Sequence, residues 1–124
     1  MRALPLFHDL RNRTCLMIGS GETADRKAAA LRTAGADVRL ASTFDSADLA
    51  DMALVVIAAA SDDIARAAYD ACRMRGIPVN AVDRPQYCTV TWPAIVDRDP
   101  VTIAIGTSGA APTLARLLLS LIHI

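Results

Sequence analysis

Gly19-Ser20-Gly21-Glu22-Thr23-Ala24 is the stretch of this chain whose residue types and spacing best suit a bound ligand. Each small position of this GxGxxA pattern has a physical reason. The first glycine permits a sharp turn from strand to helix, and the second lets backbone approach a diphosphate. Ala24 lets the helix lie close on the strand. N–H groups and the positive dipole end of a helix beginning near Glu22 would then face the phosphates. A glycine turn without a ligand produces the same letters, so the flanking elements decide. An acid about twenty residues on normally holds the ribose of NAD. Here Ala41-Ser42-Thr43 stands at that place, which leaves hydroxyls or backbone to serve and the choice between NAD and NADP open.

Asp83 is the second chemical candidate. It follows Asn80-Ala81-Val82 at the end of an apolar stretch, the carboxyl edge at which open α/β sheets bind ligands. Dehydrogenation removes a hydride and a proton, and a carboxylate within ~3 Å of the leaving proton is the minimum apparatus for the second. The bland alternative is that Asp83, before Arg84-Pro85, opens a turn through its side chain. Asn80 divides equally between a bond inside the sheet edge and a contact to the nicotinamide ribose. Thr107 and Ser108, with Gly109, offer hydroxyls and N–H groups near a helix start, suited to a substrate carboxylate or to capping. Arg98 stands between Asp97 and Asp99 and is expected to pair with them. His8 and His123 have no partner at metal-ligand spacing, so no metal site is expected.

These groups need a scaffold, and the chain alternates strand and helix patterns to supply one. Thr14–Gly19 reads as a buried strand and Glu22–Ala34 as a helix with Gly35 as its stop. Asp37–Ala41 reads as a strand, and Ser46–Met52 as a short helix capped by Ser46 or Asp45. Ala53–Ala59 reads as a buried parallel strand, apolar on both faces. A helix over Asp62–Arg75 ends at Gly76, and Pro78–Asp83 is a further strand. A loop holding Pro85, Trp92 and Pro93 follows, then a strand over Val101–Ile105 and a last helix from Thr113. Such alternation predicts a Rossmann-like α/β fold: an open, mostly parallel sheet with helices on both faces.

At 124 residues the chain is expected to form one compact domain, and 53% apolar against 21% charged residues excludes disorder. Thirteen basic and thirteen acidic residues cancel, which argues against nucleic acid or an anionic membrane as partner. The longest apolar run, Met52 to Ala60, is far short of the ~20 residues of a membrane span. Charges at His8 and Asp9 leave no apolar core for a secretory signal. Cys15, Cys72 and Cys88 lack metal spacing and suit core thiols of a cytoplasmic protein.

Several segments together resemble one family, the N-terminal module of siroheme synthase. They are Leu4-Pro5-Leu6-Phe7, GSGETADRK (19–27), IAAASDD (57–63), GIPVNAVDRPQYC (76–88) and WPAIVDRDPVTIAIGTSGAAPTLAR (92–116). The resemblance implies NAD-dependent oxidation of precorrin-2, a tetrapyrrole, to sirohydrochlorin, with Fe²⁺ as a further substrate in members that also insert iron. It puts the essential aspartate on Asp83. Its cofactor contacts fall on Glu22 and Thr23 and on Thr43 and Phe44, beside the candidates Gly19, Ser20 and Gly21 of the loop pattern, Ala60 and Asn80. Thr107, Ser108 and Gly109, from their position near a helix start, are the candidate substrate contacts. A non-catalytic NAD-binding sensor and an inactive fragment of the enzyme are the competing readings.

The chain departs from the family in two places. Between Thr43 and Phe44 the family carries a further helix and strand of roughly twenty residues, so the sheet is expected to be shorter by one outer unit. The ending LLLSLIHI is apolar on every side, with nothing after it to bury it. It reads as a truncated C-terminus, and this places the family's homodimer in doubt for this chain.

Overall fold

The computed structural model describes residues 1–107 and 112–122. Residues fall into two compact units, one over Leu6–Val90 and one over Met1–Pro5 with Thr91–Ile124. The larger unit is a four-stranded parallel sheet of β1 (Thr14–Ile18), β2 (Asp37–Ala41), β3 (Met52–Ile57) and β4 (Val79–Ala81). Its spatial order is β2-β1-β3-β4, with helices α1 (Glu22–Thr33) and α2 (Asp62–Arg75) as crossovers.

β3 is buried at every position, which its unbroken apolar sequence MALVVI requires of a strand covered on both faces. Leu16, Ile18, Val55 and Ile57 pack with Ala65, Ala68 and Cys72 of α2. The period of two turns Cys15, Met17, Leu54 and Val56 to the opposite face. Right-handed crossovers running outward in opposite directions from β1 and β3 send α1 to that second face. There it buries Ala24, Ala28 and Leu31. The Rossmann-like architecture expected from the alternation is therefore the one observed.

β2 is the sheet's outer edge, and its burial is correspondingly poor, with Leu40 64% exposed. Residues 42–51 carry the chain from β2 to β3 with one 3-10 turn, Ser46–Leu49, where a short α-helix over Ser46–Met52 was expected. Asp45 accepts from the Ala47 N–H at 2.9 Å and Asp48 accepts from the Asp45 N–H at 3.0 Å, a reciprocal cap that holds the crossover. Leu49 anchors it in the core.

The smaller unit departs from expectation. Val101–Ile105, read as one more strand of the parallel alternation, is β6 and pairs antiparallel with β5 (Ala94–Arg98) in a separate two-stranded sheet. Residues 94–98, expected as loop from their place after Trp92-Pro93, are a strand. Arg98 opposite Val101 closes a hairpin around Asp99-Pro100, and the alternation of exposed Ile95 and buried Val96 is that of a half-covered strand. Helix α3 (Pro112–Ile122) exposes Leu114, Leu117 and Leu121. Among the described residues no helix is long and apolar enough to cross a membrane.

Cys15 and Cys72 are buried free thiols and Cys88 is half-buried. Burial pushes the Cys72 thiol up from 9.0 to about 11, because the thiolate cannot be solvated there. The unfolded chain thus releases this proton first, and stability present below pH 9 declines as pH climbs toward 11. Cys72→Ala, compared with its own stability at pH 8, is expected to lose less over that interval than the wild type. Urea unfolding at stepped pH measures the difference.

Candidate functional site

β1 ends at Ile18 and turns through Gly19-Ser20-Gly21 into α1. The turn is held from both sides: the Gly19 N–H donates to the Ala41 carbonyl at 2.8 Å, and the Ala58 N–H donates to the Ile18 carbonyl at 2.8 Å. Gly19 takes φ +108, and a Cβ there would lie 1.5 Å from the Ala58 carbonyl oxygen. Gly21 takes φ +112, and nothing lies within 4 Å of where its Cβ would be. The two glycines thus serve different ends. The first lets two strands' ends come together, and the second leaves open space above the helix start.

The two helix starts differ as well. Ser61 caps α2, its Oγ accepting from the Ile64 N–H at 3.2 Å. Gly21 gives α1 no side-chain cap, so first-turn N–H groups of α1 keep their donor capacity for an anion. Glu22 and Asp25 in that turn favour the helix but share the sign of a diphosphate. Residues 19–23 therefore offer backbone donors, with the glycine turn providing the approach. This turn sits at the switch point, where the crossovers from β1 and β3 diverge.

At the carboxyl end of β3, Ala58 is buried, Ala59 takes φ +57, and Ala60 and Ser61 lead into α2. One strand over, Asp83 lies beyond β4, which is shorter than the expected Pro78–Asp83. The Val82 N–H still donates to the Ile57 carbonyl at 2.9 Å, and the Arg84 N–H closes a turn on the Ala81 carbonyl at 3.2 Å. Asp83 is exposed in that turn with φ +60. A left-handed non-glycine residue costs of order 1–3 kcal/mol and persists only where its surroundings enforce it. Just beyond Asp83 the 3-10 turn Pro85–Tyr87 closes with the Tyr87 N–H donating to the Arg84 carbonyl at 2.9 Å, and Tyr87 ties this segment to α2. Its hydroxyl donates to Asp62 at 3.2 Å and accepts from Arg66 at 3.3 Å.

Residues 88–90 satisfy the outer edge of β4 with backbone and side chains: the Thr89 N–H donates to the Val79 carbonyl at 2.8 Å. Thr89 accepts from the Val79 N–H through its Oγ1 at 3.0 Å, and the Cys88 sulfur accepts from the Ala81 N–H at 3.2 Å. Asn80 is buried, and its Nδ2 donates to the Val90 carbonyl at 3.0 Å. Of the two roles open to Asn80, the structure displays the one inside the sheet edge.

Thr43 is exposed and Phe44 is packed against the core cluster, both just beyond β2. Gly19, Ser20, Gly21, Glu22, Thr23, Thr43, Ala60 and Asp83 all follow carboxyl ends of the parallel strands. Thr107 follows β6 in the other unit, and Ser108 and Gly109 lie outside the described residues. Arg98 donates to the Asp97 carbonyl at 3.1 Å. Among the described residues no group of three His, Cys, Asp or Glu could hold a metal ion.

Two cations near Asp83 were not assigned a site role from sequence. Lys27 is half-buried on α1. Burial pushes its ammonium down from the usual lysine range and Arg26 adds to this, while the Asp83 carboxylate pulls it back up. Arg84 sends its Nη2 to the Ala60 carbonyl at 2.6 Å, 24 residues away in sequence. Nothing in local spacing announces either relation.

A glycine turn onto an uncapped helix, at the switch point of an open parallel sheet, defines a Rossmann-type nucleotide-binding domain. A family model described as "Putative NAD(P)-binding" matches residues 6–94, and the chain belongs to that family. Its relatives include siroheme synthases, in agreement with the motif resemblance. That of Methylobacillus flagellatus is 42% identical over 140 residues, covering 95% of this chain and 30% of the relative. That of Ectopseudomonas mendocina is 43% identical over 138 residues with the same shares. The chain spans about 30% of the length of the curated relatives it matches. A precorrin-2 dehydrogenase, SirC, shares the fold with a TM-score of 0.70 at 20% identity, covering 97% of this chain and 69% of that one. Since 95% of 124 is about 118, about 22 of the 140 positions in the first match have no counterpart here. That is the size of the outer helix and strand expected to be missing.

Gly19→Ala should unfold or severely destabilise the chain, by more than about 3 kcal/mol, since carbonyl and Cβ cannot share that space. Gly21→Ala meets no neighbour and should cost only about 1–2 kcal/mol of backbone strain. Equal losses in urea unfolding would contradict this division.

Proposed function

We propose that the chain binds NAD⁺ against the α1 N-terminus and uses it to oxidise precorrin-2 to sirohydrochlorin, in the cytoplasm. The observation that carries this reading is the open approach above Gly21 to the uncapped first turn of α1. Asp83 follows the carboxyl end of the same sheet. Gly19, Ser20, Gly21, Glu22 and Thr23 would hold the diphosphate through backbone N–H groups. Thr43 and Phe44 would flank the adenosine half, and Ala60 the nicotinamide half. NAD⁺, when bound, supplies the hydride acceptor. Asp83 accepts the accompanying proton at its carboxylate, so that two electrons and two hydrogens leave the tetrapyrrole together. Thr107, Ser108 and Gly109 are proposed to meet a substrate carboxylate. Where iron insertion accompanies oxidation, Fe²⁺ is a substrate and Asp83 is the group suited to take up pyrrole protons.

Homologous siroheme synthases and the fold shared with a precorrin-2 dehydrogenase support the reading. The test is anaerobic incubation with precorrin-2 and NAD⁺, followed by the sirohydrochlorin spectrum. Asp83→Asn is expected to cut kcat by about 10²–10⁴ with NAD⁺ affinity changed less than about threefold. Activity that survives this substitution would remove the assignment.

A second reading, a chain of this family without turnover, is favoured by the exposed β2 edge. Among the described residues no strand lies beyond β2, and the wall around the adenine half is thin. NAD⁺ is therefore expected to bind with Kd above about 10 μM, and calorimetry giving about 1 μM would contradict it. The same titration with NADP⁺ measures the preference that Ser42 and Thr43 leave open.

A further inference from the structure

Arg84 lies directly after the proposed base, and its geometry is unusual for a residue in an exposed turn. Its Nη2 donates to the Ala60 carbonyl at 2.6 Å. Its Nη1 is buried with no hydrogen-bond partner among the described residues. The two loops it connects each contain a non-glycine residue in the left-handed region, Ala59 at φ +57 and Asp83 at φ +60. Each such residue is held there only by what surrounds it. One guanidinium spans both.

A buried, half-satisfied guanidinium is a poor choice for stability alone, since an apolar chain of similar length would avoid the desolvation. What it supplies is location: a short bond from the Asp83 turn to the rim of the neighbouring strand. We infer that Arg84 is a positioning residue, a clamp through the Ala60 carbonyl that makes the β3–α2 loop and the Asp83 turn move as one body. Its catalytic consequence rests on the proposed dehydrogenase reading: it fixes the carboxylate's place relative to a ligand held along the loop at Ala60. Nη1 has no solvent exposure, so the clamp acts through the two loops and not by touching a ligand.

Arg84→Met keeps the length and removes the donor, and Arg84→Lys keeps one donor that can reach the Ala60 carbonyl. Hydrogen exchange of the wild type and both variants should show amides of residues 59–61 and 82–84 exchanging faster, together, in Arg84→Met. The lysine variant should recover most of the protection, and the thermal midpoint should hold or rise in Arg84→Met. In turnover with precorrin-2 and NAD⁺, kcat should fall about tenfold in Arg84→Met, with less than threefold change in KM for NAD⁺ and recovery in Arg84→Lys. Unchanged exchange, or faster exchange in only one of the two loops, overturns the clamp. So does a lowered midpoint with kcat unchanged, the mark of a purely structural role. If the wild type itself fails to oxidise precorrin-2, the dehydrogenase reading falls and hydrogen exchange alone decides the clamp.

Discussion

Everything in the larger unit depends on how closely the end of β1 approaches the end of β3. The Gly19 backbone runs where any Cβ would strike the Ala58 carbonyl. Because that contact is possible, the glycine turn is pinned between β2 and β3 by the hydrogen bonds at Gly19 and Ala58. A pinned turn aims the first N–H groups of α1 outward from the sheet's edge in a fixed direction. A looser turn would still make a helix, but not a preorganised anion site.

The second constraint is strain shared between adjacent loops. Ala59 and Asp83 both sit in backbone conformations that alanine and aspartate rarely adopt. The energy that holds them comes from the neighbourhood: α2 and its Ser61 cap behind one, the Tyr87–Asp62–Arg66 group behind the other, and Arg84 across both. Most of these bonds are exposed and individually weak. Together they give the Asp83 turn few alternatives.

The lost outer unit explains the sheet's asymmetry. On the β4 side, Thr89, Cys88 and Asn80 finish the edge with side chains. On the β2 side Leu40 faces solvent. The crossover to β3 survives the shortening because Asp45 and Asp48 cap one 3-10 turn and Leu49 buries beneath it. Shortening thus costs the sheet its border and spares its centre, where the cofactor turn lies.

The parallel sheet, both long helices and the cofactor turn were legible in the residues themselves. Apolar runs in β1 and β3, the periodic stripes of α1 and α2, and GxGxxA are local patterns, and local patterns are what a sequence displays. Asp83 could be named because its strand was recognisable, although only the motif resemblance raised it above a turn residue. What lay beyond reach was pairing at a distance. β6 looked like any strand, and only its partner β5, hidden after Trp92-Pro93, decided that it leaves the parallel sheet. Arg84 and Ala60 meet across 24 residues, and Lys27 comes within the field of Asp83 from another element. Asn80 finds its partner only once residues 88–90 fold along β4. Propensity and spacing act within a few residues, whereas these contacts exist only after the sheet has assembled and brought its strand ends to one rim.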